Sequence, residues 1–393
     1  MSLRRLLWAS PLPPIRSGVA DYAAEILPHL RQHNEVRLVS PPDWVRPDDR
    51  AAWAEGPWAD PVQPPAADEL PVLHLGNNPH HLWIAGRLRR WGGVVVLHDA
   101  VLHHLLVEEA AAAGTWERFG RELEESHGEP GKAVAEARRW GYINRLDPFL
   151  FPARAALLTF ARGVVVHNAR AAAAVAAELP DLPVRQVPLA VAPLGLPDRE
   201  AARQRLGVAA NEVLLAHMGF LTPAKGLAVI LLALAALRRL AVPARLVVVG
   251  EGSEAEEVTT AVRAGGLGDA VSLLGYAPSG ALGEVVAAAD LGLVPRYPTA
   301  GETSAAVLRF LAAGTPVVVA GYGQFLEFPP EAAQRISPGR AGVGELTALV
   351  RRLAGKPALG AGRREAARRA WQAGGHDPAV AAAALAAALE ELA

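Results

Sequence analysis

Short runs of β-branched and aliphatic residues alternate with longer Ala/Leu-rich stretches of helical period. That alternation predicts parallel strands covered on both faces by helices, an α/β chain. The predicted strands of the first half are Leu6–Ser10, Glu35–Ser40, Val72–Leu75, Val94–His98 and Gly163–His167. Those of the second are Glu212–His217, Arg245–Val249, Ala270–Leu274, Leu291–Pro295 and Pro316–Ala320. Each set suffices for its own doubly wound sheet. Residues 183 to 197 hold four prolines and no helical period, which predicts a linker. Domains are expected at 1–188 and 189–375, with residues 376–393 as a packing helix. Four helical segments without a strand between them, 100–113, 115–127, 130–141 and 147–162, predict an insertion over the first sheet.

At 393 residues the chain has room for two cores, and with 51 % apolar residues and 20 % charged it has the composition to fill them. Its 39 basic and 40 acidic side chains nearly balance, which argues against nucleic-acid binding by bulk charge. The absence of cysteine removes disulfides, thiolate metal sites and cysteine nucleophiles. No secretory or spanning segment is read, so a cytoplasmic location is expected. The basic residues Lys132, Arg138 and Arg139 of the insertion read as a solvated face, with peripheral membrane contact as the alternative.

In doubly wound sheets ligands sit beyond the carboxyl ends of strands, so the strand-to-helix loops carry the candidate chemistry. The first loop holds Ser17-Gly18 and then Asp21-Tyr22; Gly18 would let a backbone approach a ligand, although Ser17 would serve equally as a helix N-cap. His98-Asp99 ends a buried strand, where the histidine can face a ligand, cap the next helix or pair with Asp99. In Gly219-Phe220-Leu221-Thr222-Pro223-Ala224-Lys225, Thr222 reads as an N-cap and Pro223 as the first helical residue. Lys225 would then lie in a first turn, unfavourable for a cation unless an anion binds there. Gly250-Glu251-Gly252 reads as a turn. Gly301-Glu302-Thr303-Ser304 opens a helix with unpaired amides, and Glu302 could be a sugar ligand or only complement the helix dipole.

With Gly275-Tyr276, Asp290 to Pro295 and Leu308 to Pro316, the order of these loops resembles family four of the GT-B glycosyltransferases, best over roughly residues 190 to 330. The resemblance implies two Rossmann-like doubly wound parallel-sheet domains facing a central cleft, and a retaining transferase using a nucleotide diphosphate sugar. A UDP- or GDP-sugar donor is expected, with a glycan, lipid or small-molecule acceptor and no further cofactor. Carried over by position, His98 would contact the transferred sugar, Lys225 would neutralise the leaving diphosphate and Glu302 would hold a sugar hydroxyl. Gly18, Gly219, Gly275, Tyr276, Gly301, Thr303 and Ser304 would serve the donor, and Asp21, Tyr22 and Asp99 the acceptor. Two positions depart from the pattern. Gly301 and Arg309 stand where the family shows two glutamates, and Phe220 stands where it shows a basic residue, leaving Lys225 or an arginine such as Arg296 as the clamp. No Asp-x-Asp or His-Glu-x-x-His pattern is present, so no metal is expected. A sugar-nucleotide epimerase and a non-catalytic nucleotide-sugar binding protein are the alternatives.

Overall fold

A computed structural model describes residues 4–41, 63–356 and 359–393. The described residues form two compact units. The first runs to Ala190 and includes Ala300–Thr303 and Asp377–Ala393; the second comprises Val191–Thr299 and Ser304–His376.

In the first unit the chain passes through β1 (Arg4–Ala9), α1 (Gly18–Leu30), β2 (Asn34–Val39), β3 (Glu69–Leu75), α2 (Leu82–Trp91) and β4 (Val94–Leu97). The insertion follows as α3 (His103–Ala113), α4 (Trp116–Arg139), α5 (Asp147–Leu150) and α6 (Ala155–Leu158), before β5 (Gly163–Val166), α7 (Ala169–Glu178) and β6 (Val184–Gln186). The strands lie in the order β2-β1-β3-β4-β5-β6, all parallel. Their apolar residues pack against α2 and the insertion in one core, which contains Leu7, Val95, Leu105, Phe119 and Val164. As expected, residues 115–127 and 130–141 form two helices; they meet within α4 at a kink where Gly128 has φ +67°. The expected long helix from 147 to 162 is reduced to the single turns α5 and α6.

The second unit is built from α8 (Arg199–Arg205), β7 (Val213–Met218), α9 (Leu227–Arg239), β8 (Ala244–Val249), α10 (Ala255–Ala264), β9 (Val271–Leu273) and α11 (Ser279–Ala288). It continues with β10 (Leu291–Val294), α12 (Ala305–Ala312), β11 (Val317–Ala320), β12 (Ala333–Ile336), α13 (Gly342–Gly355) and α14 (Leu359–Ala373). Its parallel sheet has the order β12-β11-β10-β7-β8-β9. One face carries Leu215, Leu246 and Leu293 under α9 and α13, and the other Ala216, Val247 and Val294 under α11 and α12. Such two-sided burial is why these strands read as continuous aliphatic runs.

The last helix, α15 (Pro378–Glu391), packs on α1 within the first unit. Beyond it, Leu392 lies so close to Gly163 that a Cβ there would stand 2.7 Å from its side chain. The expected linker is corrected at its start: residues 184–186 form the edge strand β6, short enough to fit between Pro183 and Pro188. No helix of the described residues is long and apolar enough to cross a membrane.

Candidate active site

In the first unit the parallel register brings a row of rings to the carboxyl edge of the sheet. Trp8 pairs with Val72, His74 with Val96, and Leu97 with Val166. Because side chains alternate, Trp8, His74, His98 and His167 fall on one face of neighbouring strands. Trp8 packs on His74 with centroids 4.0 Å apart, and His98 stands 5.2 Å from both His74 and His167. His98 and His74 also share a hydrogen bond, Nε2 to Nδ1 at 2.9 Å. Burial pushes both imidazoles well below their ordinary range, helped by the neighbouring histidines, so both are neutral at pH 7. Of the roles open to His98, pairing is realised, but with His74 rather than Asp99.

Asp99 accepts the backbone N–H of Asn77 at 2.7 Å and so fixes the turn after β3. Tyr22, expected beside the acceptor, is nearly fully buried and presents no exposed hydroxyl. Its ring covers His74, His98 and His167 at 5.8, 5.0 and 5.4 Å. Ser17 caps α1 by accepting from Ala20 N at 3.0 Å, while Asp21 is exposed in the first turn. A Cβ on Gly18 would meet nothing within 4 Å, so the space over this helix start is open.

The segment Ala300–Thr303 joins the same edge. Val101 N donates to Ala300 O at 3.0 Å, and Asn168 Nδ2 donates to Gly301 O at 2.9 Å and to Thr303 Oγ1 at 3.0 Å. Thr303 Oγ1 in turn donates to His167 O at 3.0 Å. Gly301 has φ +81°, and a Cβ there would stand 2.8 Å from that of Ala100, so the position demands glycine twice over. Half-buried Glu302 is thereby held between Gly301 and Thr303, on the segment bonded to the residue that faces His98. The hydroxyl of Thr303, a residue expected to serve the donor, is committed to this bracing. Ser304 caps α12, accepting from Val307 N at 3.4 Å.

In the second unit, the helix start expected at Pro223 is corrected. Pro223–Lys225 forms a 3₁₀ turn, Thr222 makes no side-chain cap, and α9 begins only at Leu227. Gly226, at φ +75°, separates turn from helix; a Cβ there would stand 2.4 Å from Pro295 O, so a neighbouring strand end dictates the break. Lys225 therefore lies ahead of the helix rather than inside its first turn, and its Nζ points back over Gly219, 3.6 Å from where a Cβ would be.

Arg296 converges on this lysine. Tyr297 N donates to Ala224 O at 2.8 Å, tying the loop after β10 to the lysine turn. Both cations act on His217, which is fully buried, donates from Nδ1 to Leu293 O at 2.8 Å, and is pushed down to about 4 by burial, then by Lys225 and Arg296. Two cations at the ends of adjacent strands are an arrangement that can attract an anion. Gly219, Gly250 and Gly252 shape its floor: a Cβ on Gly250 would stand 2.0 Å from Gly219 O, and one on Gly252 2.4 Å from Leu221 O. Gly250 N donates to Gly275 O at 2.7 Å, placing the loop with exposed Tyr276 next to these glycines. Phe220 is partly exposed, and Arg309 is half-buried on α12.

His74, His167 and Asn168 were not among the residues singled out from sequence. His167 closes a predicted strand in the same way as His98, and that shared placement was the available signal. Among the described residues no three His, Asp or Glu side chains cluster as metal ligands.

Residues 198–335 match the family model for glycosyl transferases group 1. Over 130 residues the chain is 34 % identical to the D-inositol 3-phosphate glycosyltransferase of Segniliparus rotundus, a match covering 32 % of this chain. The chain thus spans 28 % of the length of the curated relative it matches. Among solved structures it is similar to sucrose-phosphate synthase from Thermosynechococcus elongatus, with TM-score 0.65, 16 % identity and 99 % of each chain covered. It is also similar to HepE of Anabaena, solved with UDP and glucose, with TM-score 0.64, 17 % identity and 99 % and 100 % covered. Its two six-stranded parallel sheets are those of the GT-B fold, and residues 198–335 are similar to the glycosyl transferases of group 1.

Proposed function

We propose that the protein is a retaining glycosyltransferase that moves a sugar from a nucleoside diphosphate sugar to an acceptor hydroxyl without a metal ion. The observation that carries this reading is the convergence of Lys225 and Arg296 over the glycine floor of Gly219 and Gly250. As the sugar–phosphate bond breaks, negative charge grows on the departing diphosphate, and fixed cations stabilise it in the way an oxyanion hole does. The backbone approach that the glycines permit lets the phosphates lie close to those charges. A uridine diphosphate sugar is the proposed donor, supported by HepE having been solved with UDP.

In the first unit, neutral His98 and the carboxylate of Glu302 are assigned to sugar hydroxyls. A neutral imidazole suits this place, because an imidazolium would oppose the positive charge that a glycosyl centre develops in its transition state.

The test is turnover of UDP- and GDP-sugars with and without candidate acceptors, in the presence of a chelator. Acceptor-dependent transfer with retained anomeric configuration supports the reading. Acceptor-independent isomerisation of the donor would instead identify an epimerase, and binding without turnover a nucleotide-sugar binding protein. Metal-reversible loss of activity in chelator would overturn metal independence.

On the acceptor side, large apolar residues crowd one exposed stretch of the insertion: Trp140, Tyr142, Ile143, Leu146 and Leu150. Lys132 is bridged to Glu124, and Arg139 to Glu117, whereas Arg145 is exposed within the run. Exposed Trp and Tyr beside arginines have the character of a membrane interface, which supports peripheral contact with anionic lipid. Flotation with phosphatidylglycerol vesicles, lost in Trp140→Ser, supports it; equal flotation of that variant would overturn it.

A further inference from the structure

The hydrogen bond between His74 and His98 holds a single proton, and which ring supplies it decides what His98 can offer a ligand. His74 lies on β3, its ring fully buried, with Trp8 packed on one side and Tyr22 nearby. Its Nδ1 meets His98 Nε2 at 2.9 Å. Its other nitrogen, Nε2, is buried and has no hydrogen-bond partner among the described residues. His98 as a residue is only half-buried, and its Nδ1 takes no part in that bond, so it is the atom left to meet a ligand.

Two arrangements of the pair satisfy the 2.9 Å bond. If His98 carries its proton on Nε2 and donates, His74 must carry its own on Nε2, leaving a buried N–H with no acceptor among the described residues. If His74 carries its proton on Nδ1 and donates, the buried remainder is only a lone pair. Orphaned N–H groups are the rarer and costlier of the two. The second arrangement leaves the proton of His98 on Nδ1, the nitrogen outside the His74 bond.

We propose that His74 is a positioning residue that fixes His98 as its Nδ1–H tautomer, so that His98 presents a hydrogen-bond donor, not an acceptor, to the bound sugar. The tautomer assignment stands on the geometry alone; its catalytic consequence rests on the transferase reading above. A sugar hydroxyl can accept or donate, so the direction fixed by His74 selects how that hydroxyl turns within the site. A histidine whose second nitrogen is unconstrained would populate both tautomers, and a fraction of molecules would present a lone pair where a donor is needed. The bond also orients the ring, since the diagonal neighbours on β3 and β4 leave it little freedom: His98 N donates to Leu75 O at 2.8 Å, next to His74 itself.

Long-range ¹H–¹⁵N spectra of the imidazoles in ¹⁵N-labelled protein test this directly, with the His98 signals assigned by comparison with His98→Asn. The expected result is a protonated Nδ1 and a bare Nε2 on His98 in the wild type. In His74→Phe, which fills the volume but cannot donate, both tautomers of His98 should appear, and kcat for sugar transfer should fall roughly tenfold with little change in KM for the donor. His74→Asn retains a donor at the Nδ1 position, and should restore the single tautomer and most of kcat. Protonation of His98 on Nε2 in the wild type overturns the proposal, as does an unaltered tautomer in a folded His74→Phe. Should the phenylalanine variant not fold, the wild-type and asparagine spectra decide the matter. A wild-type protein that transfers no sugar, yet shows His98 protonated on Nδ1, would fail the functional reading and leave the tautomer assignment standing.

Discussion

The ammonium group of Lys225 reaches back to within 3.6 Å of the point where a Cβ of Gly219 would stand, so the lysine covers the face that this glycine leaves bare. The cation is aimed at the loop backbone where the phosphates are proposed to lie, and Arg296 shares its field at His217.

Lys225→Ala should therefore weaken nucleoside diphosphate binding far more than it lowers the unliganded melting temperature. A charge-assisted hydrogen bond is worth about 1.5–3 kcal/mol, which corresponds to roughly a ten- to hundredfold rise in Kd. Calorimetric titration with UDP beside thermal melts without ligand decides it. Loss of stability with unchanged affinity would remove Lys225 from the phosphate site.

Gly250 and Gly280 should respond to alanine with opposite signs. At Gly250, with φ +147°, the new methyl would stand 2.0 Å from Gly219 O, a collision with backbone that cannot rotate away. Overpacking of this kind costs about 1–3 kcal/mol, and displacement of Gly219 would also weaken the proposed diphosphate site. Gly280 lies in the first turn of α11 with nothing within 4 Å of its Cβ direction, so alanine there should stabilise by up to about 1 kcal/mol. Urea denaturation of both variants measures the contrast.

Stability should fall as pH drops from about 6.5 toward 4. His81 and His217 are fully buried and are pushed down to about 4, chiefly by burial. In the unfolded chain they take up protons below about 6.5, so between these values the unfolded state binds more protons and is favoured. Each contributes on the order of 2 kcal/mol of loss between pH 7 and pH 5. His217→Asn keeps a donor for Leu293 O but cannot titrate. Denaturation at pH 7 and pH 5 should show a smaller decrement for this variant, and an equal decrement would refute the assignment to His217.

The central strands were legible because burial on both faces makes them unbroken aliphatic runs, as in Val94–Leu97 and Val317–Ala320. The edge strands β6 and β12 were not, since Val184–Gln186 and Ala333–Ile336 are short and mix polar with apolar residues. Thr222-Pro223 read as a helix start by local rules; what moved the start to Leu227 is Gly226 meeting Pro295, a contact between residues 69 apart. His98 could be singled out as a polar residue ending a buried strand. Its partner His74 is 24 residues away and becomes its neighbour only through the register of β3 and β4.

Glu302 was placed by sequence one position away from the family's glutamate, and the structure gives that position a firm frame through Gly301, Thr303 and Asn168. If its carboxylate holds a sugar hydroxyl, Glu302→Gln retains size and one acceptor oxygen but loses the charge, at a cost of about 1.5–3 kcal/mol. Transfer should then fall roughly ten- to hundredfold. Affinity for the bare nucleoside diphosphate, which carries no sugar hydroxyl for Glu302 to hold, should stay the same. The alternative role, complementing the dipole of α12, predicts a loss of about 0.3–1 kcal/mol in stability and nearly normal transfer. The backbone bracing of Gly301 and the hydroxyl of Thr303 do not depend on the Glu302 side chain, so the substitution should leave the segment in place. Measuring nucleotide affinity, transfer rate and melting temperature on this one variant separates the two roles, and transfer close to that of the wild type would exclude Glu302 from the site.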